Sequence, residues 1–144
     1  MRVGALPLPT GDEVPTLTVK IADAYGPGRD QDFLLASSGN GAPAHHFLVP
    51  ARRPGERLFS SLWLYLAGRT PVLVGVLPVD GPVETGAVLP FALSGPIGRF
   101  RRIGALTLGD VLPDSETAAL SFSAAHDGGG LTALPPTRLY RDRD

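Results

Sequence analysis

Two apolar runs joined by three residues set the terms for the rest of this chain. Ser61 to Ala67 and Val72 to Val79 flank Gly68-Arg69-Thr70, and no other stretch of that length is as hydrophobic, so the core has to form here. On a strand, Leu62, Leu64 and Leu66 share one face and Trp63, Tyr65 and Ala67 the other; Val72, Val74 and Val76 lie opposite Leu73, Gly75 and Leu77. Strands apolar on both faces are buried on both, as in a barrel wall with an outer cover. The expected core is Leu62, Leu64, Val74, Val76, Leu106 and Leu108. A helix over 56–67 competes, with Leu58, Leu62, Tyr65 and Leu66 on one side and Gly68 as its stop. The Phe, Trp and Tyr content and the Val-rich partner favour the hairpin.

At 144 residues the chain is one domain, able to bury a core without staples. It has no cysteine, which excludes disulfides, thiolate nucleophiles and Cys-based metal sites. A formal charge of −1 gives no electrostatic reason to expect nucleic acid or an anionic membrane as partner. Arg69 and Pro71 interrupt the apolar stretch, so no membrane span is expected. No continuous apolar segment follows Met1, and a cytoplasmic location is the expectation. Eighteen Gly and fifteen Pro in a chain 43% hydrophobic suit many short strands joined by tight turns.

The fold class read from this pattern is mainly β: an antiparallel barrel of about six strands with one or two short helices. Residues 1–15, with Pro7, Pro9, Gly11 and Pro15, read as an extended arm before a single domain over 16–144. Strands are expected near 16–22, 31–36, 60–67, 71–79, 87–94 and 99–109, and helix around 43–51 and 115–120. Gly104 should mark a bend. No internal repeat is evident.

Several motifs, in order, resemble the haem-dependent catalase superfamily. Ile103-Gly104-Ala105-Leu106-Thr107-Leu108 is similar to its V-G-x-L-x-L strand, with Pro113 where the following loop has a proline. Phe122-Ser123-Ala124-Ala125-His126 resembles F-S-P-A-N, and Arg138-Leu139 resembles the start of R-L-F-x-Y. Val19-Lys20-Ile21 and Asp32-Phe33-Leu34 resemble its V-K-F … W-D-L hairpin. Gly26-Pro27-Gly28-Arg29 with Gln31 to Ser38 is similar to small bacterial catalase-like proteins of unassigned function. The resemblance covers roughly 16–38 and 99–140 and implies an antiparallel β-barrel with helices around it. It also implies where a haem site would sit. No histidine precedes His45, Ala36 stands at the distal asparagine position, and Asp142 stands where the ligating tyrosine belongs, with Tyr140 two residues early.

Candidate residues carry two readings each. Tyr140 is a haem phenolate ligand with Arg138 lowering its pKa, or a C-terminal anchor against the barrel. Adjacent His45 and His46 diverge on a strand and sit about 100° apart on a helix, which favours a solvent-facing pair over a metal site. His126-Asp127 reads as an oriented base or a flexible loop beside Gly128 to Gly130. Asp30 and Asp32 read as an acid–base pair or as hairpin-turn polarity. Arg52-Arg53 and Arg101-Arg102 read as propionate contacts or a solvated face. Trp63 and Tyr65 line a pocket or pack in the core.

The functional expectation is a catalase-like barrel with a degenerate haem site, acting as a binding or structural module without catalase activity. The alternatives are a peroxidase-type oxidoreductase with Tyr140 as axial ligand, and an assembly subunit exchanging its N-terminal arm. A small apolar ligand or haem is the expected small-molecule partner, and a homo-oligomer the expected protein partner.

Overall fold

Turn and strand signals dominate the chain, and the folded protein, a computed structural model describing residues 1–141, follows them. Nine strands form one antiparallel system: β1 Arg2–Pro7, β2 Glu13–Ile21, β3 Gln31–Ser38, β4 Leu58–Ser60, β5 Tyr65–Ala67, β6 Thr70–Val76, β7 Val88–Ser94, β8 Arg101–Thr107 and β9 Leu131–Ala133. The main run is β1-β2-β3-β4-β6-β7-β8, with β5 and β9 side by side beyond the lower half of β6. The sheet curls into a half-barrel that stays open between β1 and β8. Among the described residues helix is limited to α1 Asp114–Ala119 and single 3₁₀ turns at Ala44–His46 and Thr137–Leu139. None of the helices among the described residues is long and apolar enough to cross a membrane.

Three features differ from the expectation. The arm folds back, so that β1 pairs with β2 from Arg2↔Thr18 to Pro7↔Glu13. The helix expected around 43–51 shrinks to one turn, because Gly39, Gly41, Pro43 and Pro50 leave no room for more. The long strand expected over 60–67 is broken. Ser60 faces Gly75 and Tyr65 faces Val72, so five steps on one strand span three on the other.

Serine hydroxyls make that break possible. Ser60 Oγ accepts the Leu62 N–H at 2.9 Å, and Ser61 Oγ accepts the Val74 N–H at 3.2 Å while donating to the Trp63 carbonyl at 2.8 Å. Side chains thus take over ladder bonds the backbone gives up. Leu62 is left in the left-handed region at φ 62°, a strained position for a branched side chain. The rival helix over 56–67 does not form.

Val72 to Val76 are buried on both faces, as the two-faced pattern demands. Val72, Val74 and Val76 face inward with Leu17, Val19, Phe33, Leu35, Phe59 and Tyr65. On the other face Leu73 packs with Leu58, Ala92 and Phe100. A Cβ on Gly75 would come within 2.6 Å of both the Phe100 ring and the Phe59 carbonyl, so only glycine admits this cover. Val74 and Val76 are core as expected, but Leu62, Leu64, Leu106 and Leu108 are only partly buried. Leu62 left its strand at the break, Leu64 flanks the smaller cluster, and Leu106 and Leu108 lie at the open end of the half-barrel. The bend expected at Gly104 appears as a register shift that leaves Ile103 unpaired.

Candidate functional site

Strand alternation builds the candidate site on the face of β1–β3 turned away from the core. Opposed residues share a face, so Leu6 with Val14, Thr16 with Ala36, Thr18 with Leu34 and Lys20 with Asp32 all lie there. Leu6, Thr16, Thr18, Leu34 and Ala36 form the floor of an open groove of about 410 Å³. Leu48, Leu62, Tyr140 and Arg141 complete its lining. The strained turn at Leu62 is therefore a groove wall. The lining is mostly apolar, with threonine hydroxyls, one phenol and one guanidinium as its polar groups.

A polar cluster beside the groove holds the C-terminal segment over this face. Asp32 is fully buried, and its carboxylate accepts from Lys20 Nζ at 2.8 Å, the Ser123 N–H at 2.9 Å and His126 Nδ1 at 2.6 Å. Lys20 also reaches Asp30 at 3.1 Å. Burial alone would lower the Lys20 pKa, but the hydrogen bonds it donates to Asp32 and Asp30 and the charge of both carboxylates outweigh it and raise it. The Asp23 N–H and then Lys20 hold the Asp30 carboxyl below its ordinary value. His126 is thus oriented by Asp32, not by Asp127, whose carboxylate instead accepts the Ala133 N–H at 2.7 Å. The Ala124 N–H donates to the Tyr140 carbonyl at 3.0 Å, which carries the anchor on to the groove wall.

A histidine pair stands behind Leu62. His45 and His46 do not face solvent together: His45 is fully buried, and their Nε2 atoms lie 3.2 Å apart. The single 3₁₀ turn folds the two rings together where a strand would have parted them. His45 Nε2 donates to the Pro96 carbonyl at 3.0 Å, and His46 Nδ1 donates to the Leu62 carbonyl. The His46 ring stacks on Trp63 at 4.8 Å, so this tryptophan, 41% exposed, is neither core nor pocket lining. Tyr65 is core, edge-on to Phe33 at 5.9 Å.

Burial lowers the His45 pKa, His46 adds to that, and the Pro96 carbonyl opposes it. A histidine lowered on folding binds fewer protons folded than unfolded. Its contribution is intact above the ordinary histidine value of about 6.5 and is lost as pH falls toward the folded value. Urea midpoints should therefore fall on acidification below about pH 6.5, with a slope from this group of up to about 1.4 kcal/mol per pH unit. A His45→Asn variant should lose that part of the slope; an unchanged slope would contradict the buried neutral imidazole.

Ala36 and Tyr140, the positions the resemblance aligns with the distal asparagine and lies nearest to the ligating tyrosine, meet in the groove. Tyr140 follows the last 3₁₀ turn in extended conformation. Burial raises its phenol pKa, opposite to the shift a phenolate ligand needs, and Arg138 is exposed outside the groove. The two do not fit a phenolate–arginine pair for haem iron. Asp142 lies outside the described residues. Arg52, Arg53, Arg101 and Arg102 are exposed and line no part of the groove. Sequence reasoning missed Asp32 with His126, and Arg141 at the rim. The one available signal was the direct opposition of Lys20 and Asp32 in the expected hairpin.

Fold and groove together define an open antiparallel β half-barrel with an apolar cleft on its outer face. Comparison with known proteins finds no matching family model, curated protein or solved structure.

Proposed function

We propose that this chain is a catalase-like β-barrel module that binds an apolar ligand carrying one anionic end, without turning over peroxide. One observation carries the reading: Ala36 and Tyr140, far apart in sequence, line the same apolar groove with Arg141 at its rim. Such grooves take ligands by burying apolar surface, and a single cation sets orientation. Peroxide chemistry needs a positioned base over the reacting atoms. The groove floor offers Ala36 there, and His126 is held by Asp32 in the adjoining cluster.

The test is a titration with a fluorescent long-chain carboxylate and, separately, with hemin. Wild type should bind the carboxylate saturably, Leu34→Trp should lose at least about tenfold in affinity by filling the floor, and Arg141→Gln should weaken binding of the carboxylate more than that of its methyl ester. Binding indifferent to Leu34→Trp would reject the groove. Hemin should give only weak uptake without a tyrosinate-type Soret band. A sharp band lost in Tyr140→Phe would instead favour the haem-ligating peroxidase reading.

A further inference from the structure

The half-barrel ends in two edge strands that carry nearly the same heptapeptide. Arg2-Val3-Gly4-Ala5-Leu6-Pro7-Leu8 contains β1, and Arg102-Ile103-Gly104-Ala105-Leu106-Thr107-Leu108 contains most of β8. Five of the seven residues are identical, a short repeat that becomes evident once both copies are seen at sheet edges. The informative difference is Pro7 against Thr107. Proline lacks the N–H that a further strand would need and is a common guard on exposed edges. β1 has that guard, followed by Pro9, whereas β8 has none from Arg101 to Thr107.

β8 is also uncovered. Every residue from Arg101 to Ala105 is exposed, although alternate residues of a curled sheet belong inside. Exposed apolar side chains lie on it, on its neighbour and in the chain to either side: Val88 is 51% exposed, Ile103 58%, Val111 87% and Ile97 89%. The Leu108 N–H donates to the Ala87 carbonyl, so by strand alternation Leu106 also turns to β7, and Ala105 and Thr107 turn their backbone groups to the free side.

We propose that β8 is the dimer edge of this protein, pairing antiparallel with β8 of a second copy about a two-fold axis at Ala105. The charge pattern selects this partner. Arg99, Arg101 and Arg102 lie before the axis and Asp110 just beyond it, so antiparallel pairing sets the basic end of each copy beside the carboxylate that follows the strand of the other. Pairing about Ala105 puts Asp110 opposite residue 100 of the second copy, between its Arg99 and Arg101. Thr107 then opposes Ile103 of the second copy, and the apolar fringe closes over the seam. This interface is independent of the groove, which lies on β1–β3.

Light scattering on the full chain tests it. Wild type should run at the mass of a dimer, and Thr107→Pro, which copies onto β8 the guard β1 already folds with, should halve that mass while melting as cooperatively as wild type. Because the chain has no cysteine, Ala105→Cys should form a single disulfide-linked dimer under mild oxidation, the opposed residues lying within bridging distance. A wild type that stays monomeric up to its solubility limit would overturn the proposal. So would a dimer that persists in Thr107→Pro and fails to cross-link through Ala105→Cys, which would point to exchange of β1 instead. Should Thr107→Pro fail to fold, Ile103→Lys with the cross-link decides, with monomer and no cross-link expected together for the double variant.

Discussion

Asp32→Ala is expected to remove about 3–5 kcal/mol of stability, the usual cost of taking one partner out of a buried charge cluster. Asp32 is fully buried, and its loss strands Lys20, whose side chain is only 12% exposed, with Asp30 as its remaining carboxylate. It also frees the Ser123 N–H and His126, which hold the C-terminal segment over β2 and β3. Against a total of about 5–15 kcal/mol for a domain, that loss brings the protein near unfolding at room temperature. The measurement is the denaturant midpoint together with hydrogen exchange at residues 122–126, whose protection should fall further than that of β6. A loss below about 1 kcal/mol would mean that Lys20 and Asp30 suffice as a surface pair. Because the cluster raises Lys20, its contribution is present below the ordinary lysine value of about 10.4 and fades as pH rises through the folded one. The variant should therefore be less sensitive to alkali than wild type.

Phe59→Ala should cost about 3–5 kcal/mol, through lost burial and the cavity left behind. Phe59 is 2% exposed, lies opposite Ser37 on β3 and Val76 on β6, and packs into the larger cluster. The surroundings cannot collapse readily, because β6 packs so closely here that a Cβ on Gly75 would come within 2.6 Å of the Phe59 carbonyl. Leu64→Ala, at a half-buried site flanking the smaller cluster, is the internal comparison and should cost less. Equal losses at the two sites, measured by denaturant unfolding, would show that the two clusters do not differ as drawn.

Features that depend on neighbours along the chain were legible before any fold was known. Two-residue alternation and Gly/Pro punctuation marked β2, β3, β6, β7 and β8, and the two-faced run at Val72 to Val76 announced a strand covered on both sides. The joint Gly68-Arg69-Thr70 announced a turn, which the structure tightens to two residues between Ala67 and Thr70 with Gly68 at φ 64°. Local pattern also marked α1, expected around 115–120 and found at Asp114–Ala119. The tertiary structure alone decided what depends on which strands become neighbours. β1 is a strand because β2 offers it a partner, and the break at Leu62 is held across the sheet because Ser61 can reach Val74 only once β4 and β6 are paired. Asp32 met His126 across 94 positions, and Ala36 met Tyr140 because the C-terminal segment lies on the outer face of β3. Alternation assigns each side chain a face but does not say what will cover that face. A carboxylate's role is set by the donors that arrive from elsewhere, so the same Asp32 reads as turn polarity in the sequence and as the central anchor in the fold.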